Sequence, residues 1–97
     1  MNKFGEAIEA LKEGKRVTRC GWNGKGMFLF MIVGNTVDKE YVQNFKSWTP
    51  DIKDYFQGLD IDIEFNSSIA MFTADKKVQG GWLASQSDML SEDWLIL

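Results

Sequence analysis

Two tryptophans in this 97-residue sequence stand beside polar side chains in segments rich in glycine and serine. Trp22 and Asn23 lie in "GWNGKG", and Trp82 shortly precedes "SQSD". Aromatic rings stack on nucleobases, amides and hydroxyls bind base and ribose edges, and cations bind phosphate groups. The pattern therefore predicts a pocket for a nucleotide-like ligand, with Arg19 and Lys25 as its cations.

Core packing is the competing interpretation of each tryptophan taken alone. The position of Trp22 and Trp82 in predicted loops favours binding, because loops on a rigid scaffold often carry functional residues. Trp94, followed by "LIL", is instead predicted to lie in the core on the last strand. The predicted ligand-binding residues are Arg19, Trp22, Asn23, Lys25, Phe28, Thr73, Trp82, Ser85, Gln86 and Asp88.

The composition excludes several kinds of catalytic site. The chain has no histidine and one cysteine, which removes zinc sites built from these ligands, internal disulfides and the common Ser–His triads. Cys20 is interpreted as a small core residue, and the acidic series Asp60, Asp62 and Glu64 as a solvated strand face. "SQSD" offers no base that would activate a serine. A carboxylate pair for general acid–base catalysis stays open, although no spacing favours one, and we expect neither a metal nor a cofactor.

The net charge and its distribution along the chain limit which partners are expected. A net charge of −3 argues against general binding of DNA or RNA, which requires clustered lysine and arginine. Residues 1–26 nevertheless carry six cations against three glutamates, so a small anionic ligand could bind there. The sequence has no apolar run long enough to cross a membrane and no signal peptide, so we expect a cytoplasmic protein.

The first third of the chain has readable secondary-structure signals. "NKFGEAIEALKEGK" predicts a helix with Asn2 as its N-cap and Gly14 after its end. "RVTRC" predicts a short strand with Val17 and Arg19 on one face and Thr18 and Cys20 on the other. The Asn23-Gly24 pair predicts a hairpin turn, and "MFLFMIV" predicts a central strand covered on both faces.

The middle of the chain has mixed signals. From Thr36 to Trp48, aromatic and aliphatic residues recur at helical spacing and predict a helix. A second short helix is predicted between Thr49, as N-cap, and Gly58. "LDIDIEF" alternates perfectly and predicts a half-buried strand. The segments that follow predict antiparallel strands joined in a meander.

These elements predict one α+β domain over residues 1–97. Near the C-terminus, "SQSDML" predicts a turn of helix capped by Ser85 or Ser87, and "DWLIL" the last strand. The expected architecture is one antiparallel sheet with the N-terminal helix packed on it, and one or two short helices in a middle insertion spanning 35–68.

Two longer blocks carry a family resemblance. "FGEAIEALKEGKRVTRCGWNGKGMFLF" and "WLASQSDMLSEDW" resemble the signature blocks of the second type of Thoeris anti-defence protein, a family of phages and bacteria. The blocks cover about 40 of the 97 residues.

The resemblance implies a function without catalysis. It implies a sponge that binds glyco-cyclic ADP-ribose, the signal of the Thoeris immune sensor, and sequesters it uncleaved in the infected host cytoplasm. It also implies homotetramers with pockets at subunit interfaces and, in some relatives, separate sites for cyclic oligonucleotides. Two alternatives remain open: an enzyme that degrades the same signal, and an inhibitor that binds a host protein through exposed aromatic residues.

Overall fold

Five antiparallel strands form the sheet that carries the candidate site. The computed structural model describes residues 1–22 and 25–97. The strands lie in the order β6-β5-β2-β1-β7, with bounds β1 Val17–Arg19, β2 Phe28–Ile32, β5 Ser68–Phe72, β6 Val78–Gln79 and β7 Trp94–Ile96. With an N-terminal helix on this sheet and further short helices, the α+β prediction is confirmed.

The chain divides into two compact units. The first comprises Met1–Ile32 and Ser68–Leu97 and contains the five-stranded sheet. The second comprises Val33–Ser67 and corresponds closely to the predicted middle insertion. One domain over residues 1–97 stays a prediction.

Helix α1, Phe4–Lys12, covers one face of the five-stranded sheet. Ala7, Ala10 and Leu11 are buried along one side of the helix, as its periodicity predicted. The helix ends where predicted, because Gly14 adopts a positive φ of 85° that favours glycine.

The predicted N-cap of α1 was wrong. Asn2 forms an isolated β-bridge with Trp94, accepting and donating backbone hydrogen bonds, so it is engaged by the sheet edge and does not cap the helix. Lys3 occupies the cap position, and its backbone N–H donates to the Glu6 carboxylate at 3.0 Å.

The covered face of the sheet contains the core of the first unit. Val17, Leu29 and Trp94 are fully buried against α1. Trp94 therefore lies in the core, as the sequence predicted. β2 is the central strand, which confirms the prediction, but of its residues only Leu29 is fully buried. On the opposite face, Phe28 and Phe30 are half-buried and Ile32 is exposed, so the expected full cover on both faces was wrong.

Helix α3, Gln86–Leu90, precedes β7 and confirms the predicted turn of helix. The hydroxyl of Ser85 accepts from the backbone N–H of Asp88 at 3.1 Å, and the Asp88 carboxylate accepts from the Ser85 N–H at 2.9 Å. This reciprocal pair satisfies two donors at the helix start and orients the Asp88 side chain.

The second unit contains a two-stranded sheet that the sequence did not predict. β3, Asn35–Val37, pairs antiparallel with β4, Ile63–Phe65. Between them lie a 3-10 helix, Lys39–Asn44, and α2, Pro50–Leu59. Phe45, Trp48, Phe56 and Phe65 pack together with ring centroids 4.6–6.0 Å apart along this cluster.

Several boundaries in this unit differ from the expected ones. The predicted helix from Thr36 to Trp48 is wrong over most of its length, because Val37 pairs with Ile63 in a strand and the helical part is a short 3-10 helix. Helix α2 begins as predicted, with Thr49 as N-cap, but continues past Gly58 to Leu59, and Asp60 adopts the left-handed conformation. The strand "LDIDIEF" is correspondingly shortened to its last three residues.

The predicted meander joins "LDIDIEF" to the next two strands in sequence order. Its pairing of β5 with β6 is confirmed, and its pairing of β4 with β5 was wrong. β5 pairs with β2 and β6, whereas β4 pairs with β3. The predicted hairpin turn at Asn23-Gly24 lies outside the described residues. Within the described ranges, none of the helices has the length and apolar character needed to cross a membrane.

We predict that Leu29→Ala lowers the free energy of unfolding by about 2–5 kcal/mol, since it removes a fully buried side chain at the centre of the sheet. Urea denaturation followed by circular dichroism measures the change. Leu90→Ala is the matched control, because Leu90 is 78% exposed and should change stability by about 0.5 kcal/mol or less. Equal losses in the two variants would contradict this assignment of the core.

Candidate functional site

Arg19 on β1 is the centre of a network that joins β1 to the C-terminal segment. Its Nε donates to Asp93 Oδ1 at 2.9 Å, Nη1 to Asp88 Oδ1 at 2.7 Å and Nη2 to Ser91 Oγ at 2.5 Å. The Arg19 side chain is only 15% exposed. We call Arg19, Asp88, Ser91 and Asp93 the Arg19 cluster.

The carboxylates of this cluster also bind backbone groups. Asp93 Oδ2 accepts from the Gly21 N–H at 2.8 Å, which ties the Asp93 side chain to the 3-10 turn Cys20–Trp22. The backbone oxygen of Asp93 accepts from the Cys20 N–H at 3.1 Å. The side chain and the backbone of Asp93 therefore both hold the turn that carries Trp22.

The ionisation of both carboxylates follows from these contacts. The hydrogen bond from Arg19 lowers the pKa of Asp93 against an opposing effect of burial, with further help from the Gly21 N–H. Burial alone would raise the pKa of Asp88, but hydrogen bonds from the Ser85 backbone and from Arg19 outweigh it and lower the pKa. The same partners raise the pKa of Arg19. The cluster is thus fully ionised near neutral pH.

Three tryptophans pack edge to face beside the cluster. The Trp22 ring centroid lies 5.5 Å from that of Trp94 and 6.3 Å from that of Trp82. Trp94 and Trp82 are 6.3 Å apart. The indole N–H of the buried Trp94 donates to the Asp88 backbone oxygen at 3.0 Å. The structure therefore brings Trp22 and Trp82 together, with Trp94 as their support.

An open pocket of about 540 Å³ lies beside Trp22. Its wall combines the aromatic rings of Trp22 and Phe28 with the cationic side chains of Arg16 and Lys25. The guanidinium carbon of Arg16 lies 5.1 Å from the Phe28 ring centroid. The complete lining is Arg16, Thr18, Arg19, Cys20, Trp22, Lys25, Gly26, Met27, Phe28, Leu95 and Leu97.

Arg16 and Lys25 are the cations of this pocket whose charged groups can bind an incoming anion. Neither forms an ion pair among the residues that the structure describes, and both are exposed. Arg19, by contrast, is bound to two carboxylates. An anionic group entering the pocket would meet Arg16 and Lys25, next to aromatic faces that suit a planar base.

The predicted site residues fall into separate groups. Arg19, Trp22, Lys25 and Phe28 all line the pocket beside Trp22. Trp82 borders a smaller depression of about 330 Å³, and Thr73 lies in a surface turn where its hydroxyl is hydrogen-bonded to Asp75 at 2.5 Å. The predicted residues Ser85, Gln86 and Asp88 belong to the start of α3, and Asn23 lies outside the described residues.

Sequence reasoning missed Arg16 and assigned Cys20 to the core. Cys20 is exposed at the pocket, because β1 ends at Arg19 and the chain turns away from the sheet. Arg16 could have been found from alternation, since it lies two residues before Thr18 on the side opposite Val17. That side of the sheet also carries Phe28, whose neighbour Leu29 pairs with Val17.

Metal binding and serine-based catalysis are not supported by the residues that the structure describes. No three cysteine, aspartate or glutamate side chains within residues 1–22 and 25–97 are grouped in a way that could hold a metal ion. The Ser85 hydroxyl accepts a helix-capping hydrogen bond, and that of Ser91 donates to the Ser87 backbone oxygen at 2.5 Å. These hydroxyls stabilise α3.

We predict that the Arg19 cluster makes stability depend on acidic pH. A carboxylate whose folded pKa is lowered contributes stability above its unfolded pKa of about 3.9 and loses it as the pH falls toward the folded value. The melting temperature should therefore change little between pH 7 and pH 5 and fall below about pH 4. The decrease should be shallower in Asp88→Asn than in the wild type and in the surface control Glu9→Gln. Three parallel curves would refute this role of Asp88.

Comparison with known proteins gives matches over nearly the whole chain. A family model described as "Tad2-like: Thoeris anti-defense 2-like domain" matches residues 2–97. The protein named "Thoeris anti-defense 2" from Bacillus phage SP01 is 37% identical over 94 residues, covering 97% of this chain and 92% of that protein. Through both the family match and this relative, the chain belongs to the Thoeris anti-defense 2-like family.

Proposed function

We propose that this protein counteracts Thoeris immunity by binding its nucleotide signal, glyco-cyclic ADP-ribose, and sequestering it without cleavage. Family membership supports the anti-Thoeris role of a phage-type protein. The observation that carries the ligand assignment is the pocket where Trp22 and Phe28 lie beside Arg16 and Lys25.

The chemistry of that pocket fits a cyclic ADP-ribose derivative. Such a ligand has a planar base, ribose hydroxyls and a pyrophosphate, and a volume of about 540 Å³ is in the usual range for small-molecule sites. A base stacked on an aromatic ring gains about 1–3 kcal/mol. Arg16 and Lys25 would bind the pyrophosphate, while the backbone and Thr18 offer polar groups for the riboses.

Binding without cleavage agrees with the state of the nearby carboxylates. A general acid near neutral pH requires a carboxyl group whose pKa is raised. The pKa values of Asp88 and Asp93 are instead lowered, and both side chains bind Arg19. An enzyme that degrades the signal would need a different general acid, and we expect the ligand to be retained intact.

Calorimetry with purified glyco-cyclic ADP-ribose tests this proposal. We expect saturation at or below about ten micromolar, because a sponge must bind most of the signal at low concentration. Heat denaturation of the complex should then release intact ligand, as identified by mass spectrometry. A hydrolysed product would overturn the sponge mechanism in favour of the enzyme, and absence of heat at tens of micromolar would reject this ligand.

Pocket variants make the same experiment specific. Trp22→Ala should weaken binding by about tenfold or more through the lost stacking surface, and Arg16→Gln by several-fold through the lost charge. Lys12→Gln is the matched control, because Lys12 is an exposed cation that is paired with Glu9 on α1. If Arg16→Gln and Lys12→Gln behave alike, the pyrophosphate is not bound at this pocket.

A titration with a cyclic oligonucleotide tests the second ligand class expected from the family resemblance.

We also propose that the protein is a homotetramer whose subunits meet at the sheet face opposite α1. That face carries the half-buried rings of Phe28, Phe30 and Phe72, together with Val78, which is 60% exposed, and Ile32, which is 44% exposed. An apolar sheet face of this kind is typical of an interface. Its continuity with Phe28 would place the ligand pocket at the edge of a neighbouring subunit.

Light scattering after size-exclusion chromatography should give a mass near 44 kDa, about four times the 11.1 kDa chain. Val78→Glu should reduce this mass, because it places a charge on the apolar face. Leu90→Glu, on a residue of α3 that is also exposed, is the control and should leave the mass unchanged. A wild-type mass near 11 kDa at micromolar concentration would exclude the tetramer.

A further inference from the structure

We propose that Arg19 is a positioning residue, which holds the Trp22 turn in its binding geometry and leaves the ligand's anionic groups to Arg16 and Lys25. The inference rests on the proposed function, which places the ligand against Trp22. It assigns to Arg19, Asp93 and Gly21 a role that is separate from contact with the ligand.

The charge balance of the Arg19 cluster is the first argument. One guanidinium faces two carboxylates, at 2.7 Å for Asp88 and 2.9 Å for Asp93. Both carboxylates stay ionised, because the pKa of each is lowered. The cluster therefore has a net charge of −1 and would repel a pyrophosphate. A cation that serves an anionic ligand would keep donors directed at the pocket, as exposed Arg16 and Lys25 can.

The geometry of Asp93 is the second argument. One carboxylate oxygen binds Arg19 Nε and the other binds the Gly21 N–H at 2.8 Å. The side chain thus transmits the position of Arg19 to the backbone immediately before Trp22. Since Trp22 packs against Trp94 at 5.5 Å, a shift of this turn would move the ring that lines the pocket.

The space around Gly21 is the third argument. A Cβ at this position would lie 3.0 Å from Asp93 Oδ2 and 3.3 Å from Arg19 Nη2. Both distances are shorter than ordinary van der Waals contacts, so any side chain would push the Arg19 cluster away from the turn. Glycine therefore permits the close approach through which the cluster holds the turn.

The two possible roles of Arg19 predict opposite effects of one substitution. If Arg19 bound the ligand, Asp93→Asn would release its charge and strengthen binding, and Arg19→Lys would keep much of the affinity. If Arg19 positions Trp22, Arg19→Lys loses the Nε contact that fixes the Asp93 carboxylate, and Asp93→Asn loses one of the two carboxylate oxygens that bind Arg19 and the Gly21 N–H. Both variants then weaken binding. Their effects should also overlap, because residues in one network are not additive.

The test combines calorimetry with near-ultraviolet circular dichroism of the unliganded protein. For Arg19→Lys and Asp93→Asn we expect glyco-cyclic ADP-ribose affinity to fall about tenfold each, and the double variant to lose far less than a hundredfold. Each variant should also change the tryptophan bands before ligand is added. Glu9→Gln, which removes an exposed carboxylate paired with Lys12, should change neither quantity.

Gly21→Ala keeps every charge and provides a second readout if the charge variants fail to fold. It should change the tryptophan bands and weaken binding, because its methyl group displaces Asp93. Unchanged or tighter binding by Asp93→Asn with unaltered tryptophan bands would overturn the inference. If the wild type binds no ligand, the proposed function fails, and the tryptophan bands alone decide the positioning role: a change in the variants supports it and unaltered bands overturn it.

Discussion

The paired charge of Arg19 is the constraint on which the first unit depends. A guanidinium that is 15% exposed loses much of its hydration, and this loss is tolerable only when carboxylates replace the water. Asp88 and Asp93 can do so only if α3 and the segment after it lie against β1. The requirement to satisfy one charge therefore positions a helix, a turn and the last strand together.

Trp94 joins this polar network to the apolar core. Its backbone pairs with Arg19 across β1 and β7, its ring is fully buried beside α1, and its indole N–H binds the Asp88 backbone. The ring also supports Trp22 and Trp82. Packing and hydrogen bonding thus act on the same residue, so Trp22 in the aromatic wall of the pocket rests on a fully buried ring.

Local sequence signals predicted the elements whose cause lies in neighbouring residues. The helix ending before Gly14, the Ser85 cap and the buried Trp94 depend on neighbouring residues or simple periodicity, and these predictions were confirmed. The helix expected from Thr36 does not form over its full length. Phe45 and Trp48 have helical spacing but pack in the aromatic cluster of the second unit from backbone that follows the 3-10 helix. Periodicity alone does not distinguish these two origins.

The pairing of Arg19 had no local signal. Its partners lie 69 to 74 residues away in sequence. The residues around Arg19 therefore show a cation that shares a strand face with Val17, but not the carboxylates that bind it. The proximity of Trp22 and Trp82 was inferred from shared chemistry, and the structure brings their rings together. Arg16 did have a local signal, since strand alternation places it on the same side of the sheet as Phe28.

The distribution of charge explains why the overall acidity of the chain is compatible with an anionic ligand. Val33–Ser67 contains seven acidic and three basic residues, whereas the remaining chain has seven acidic and eight basic ones. Within that near-neutral remainder, Asp88 and Asp93 are directed at Arg19 and not at the pocket. The field inside the pocket is therefore set mainly by Arg16 and Lys25, and net charge does not describe it. Because these two cations are exposed, salt screens their attraction, and the aromatic wall must supply the part of the affinity that salt does not weaken.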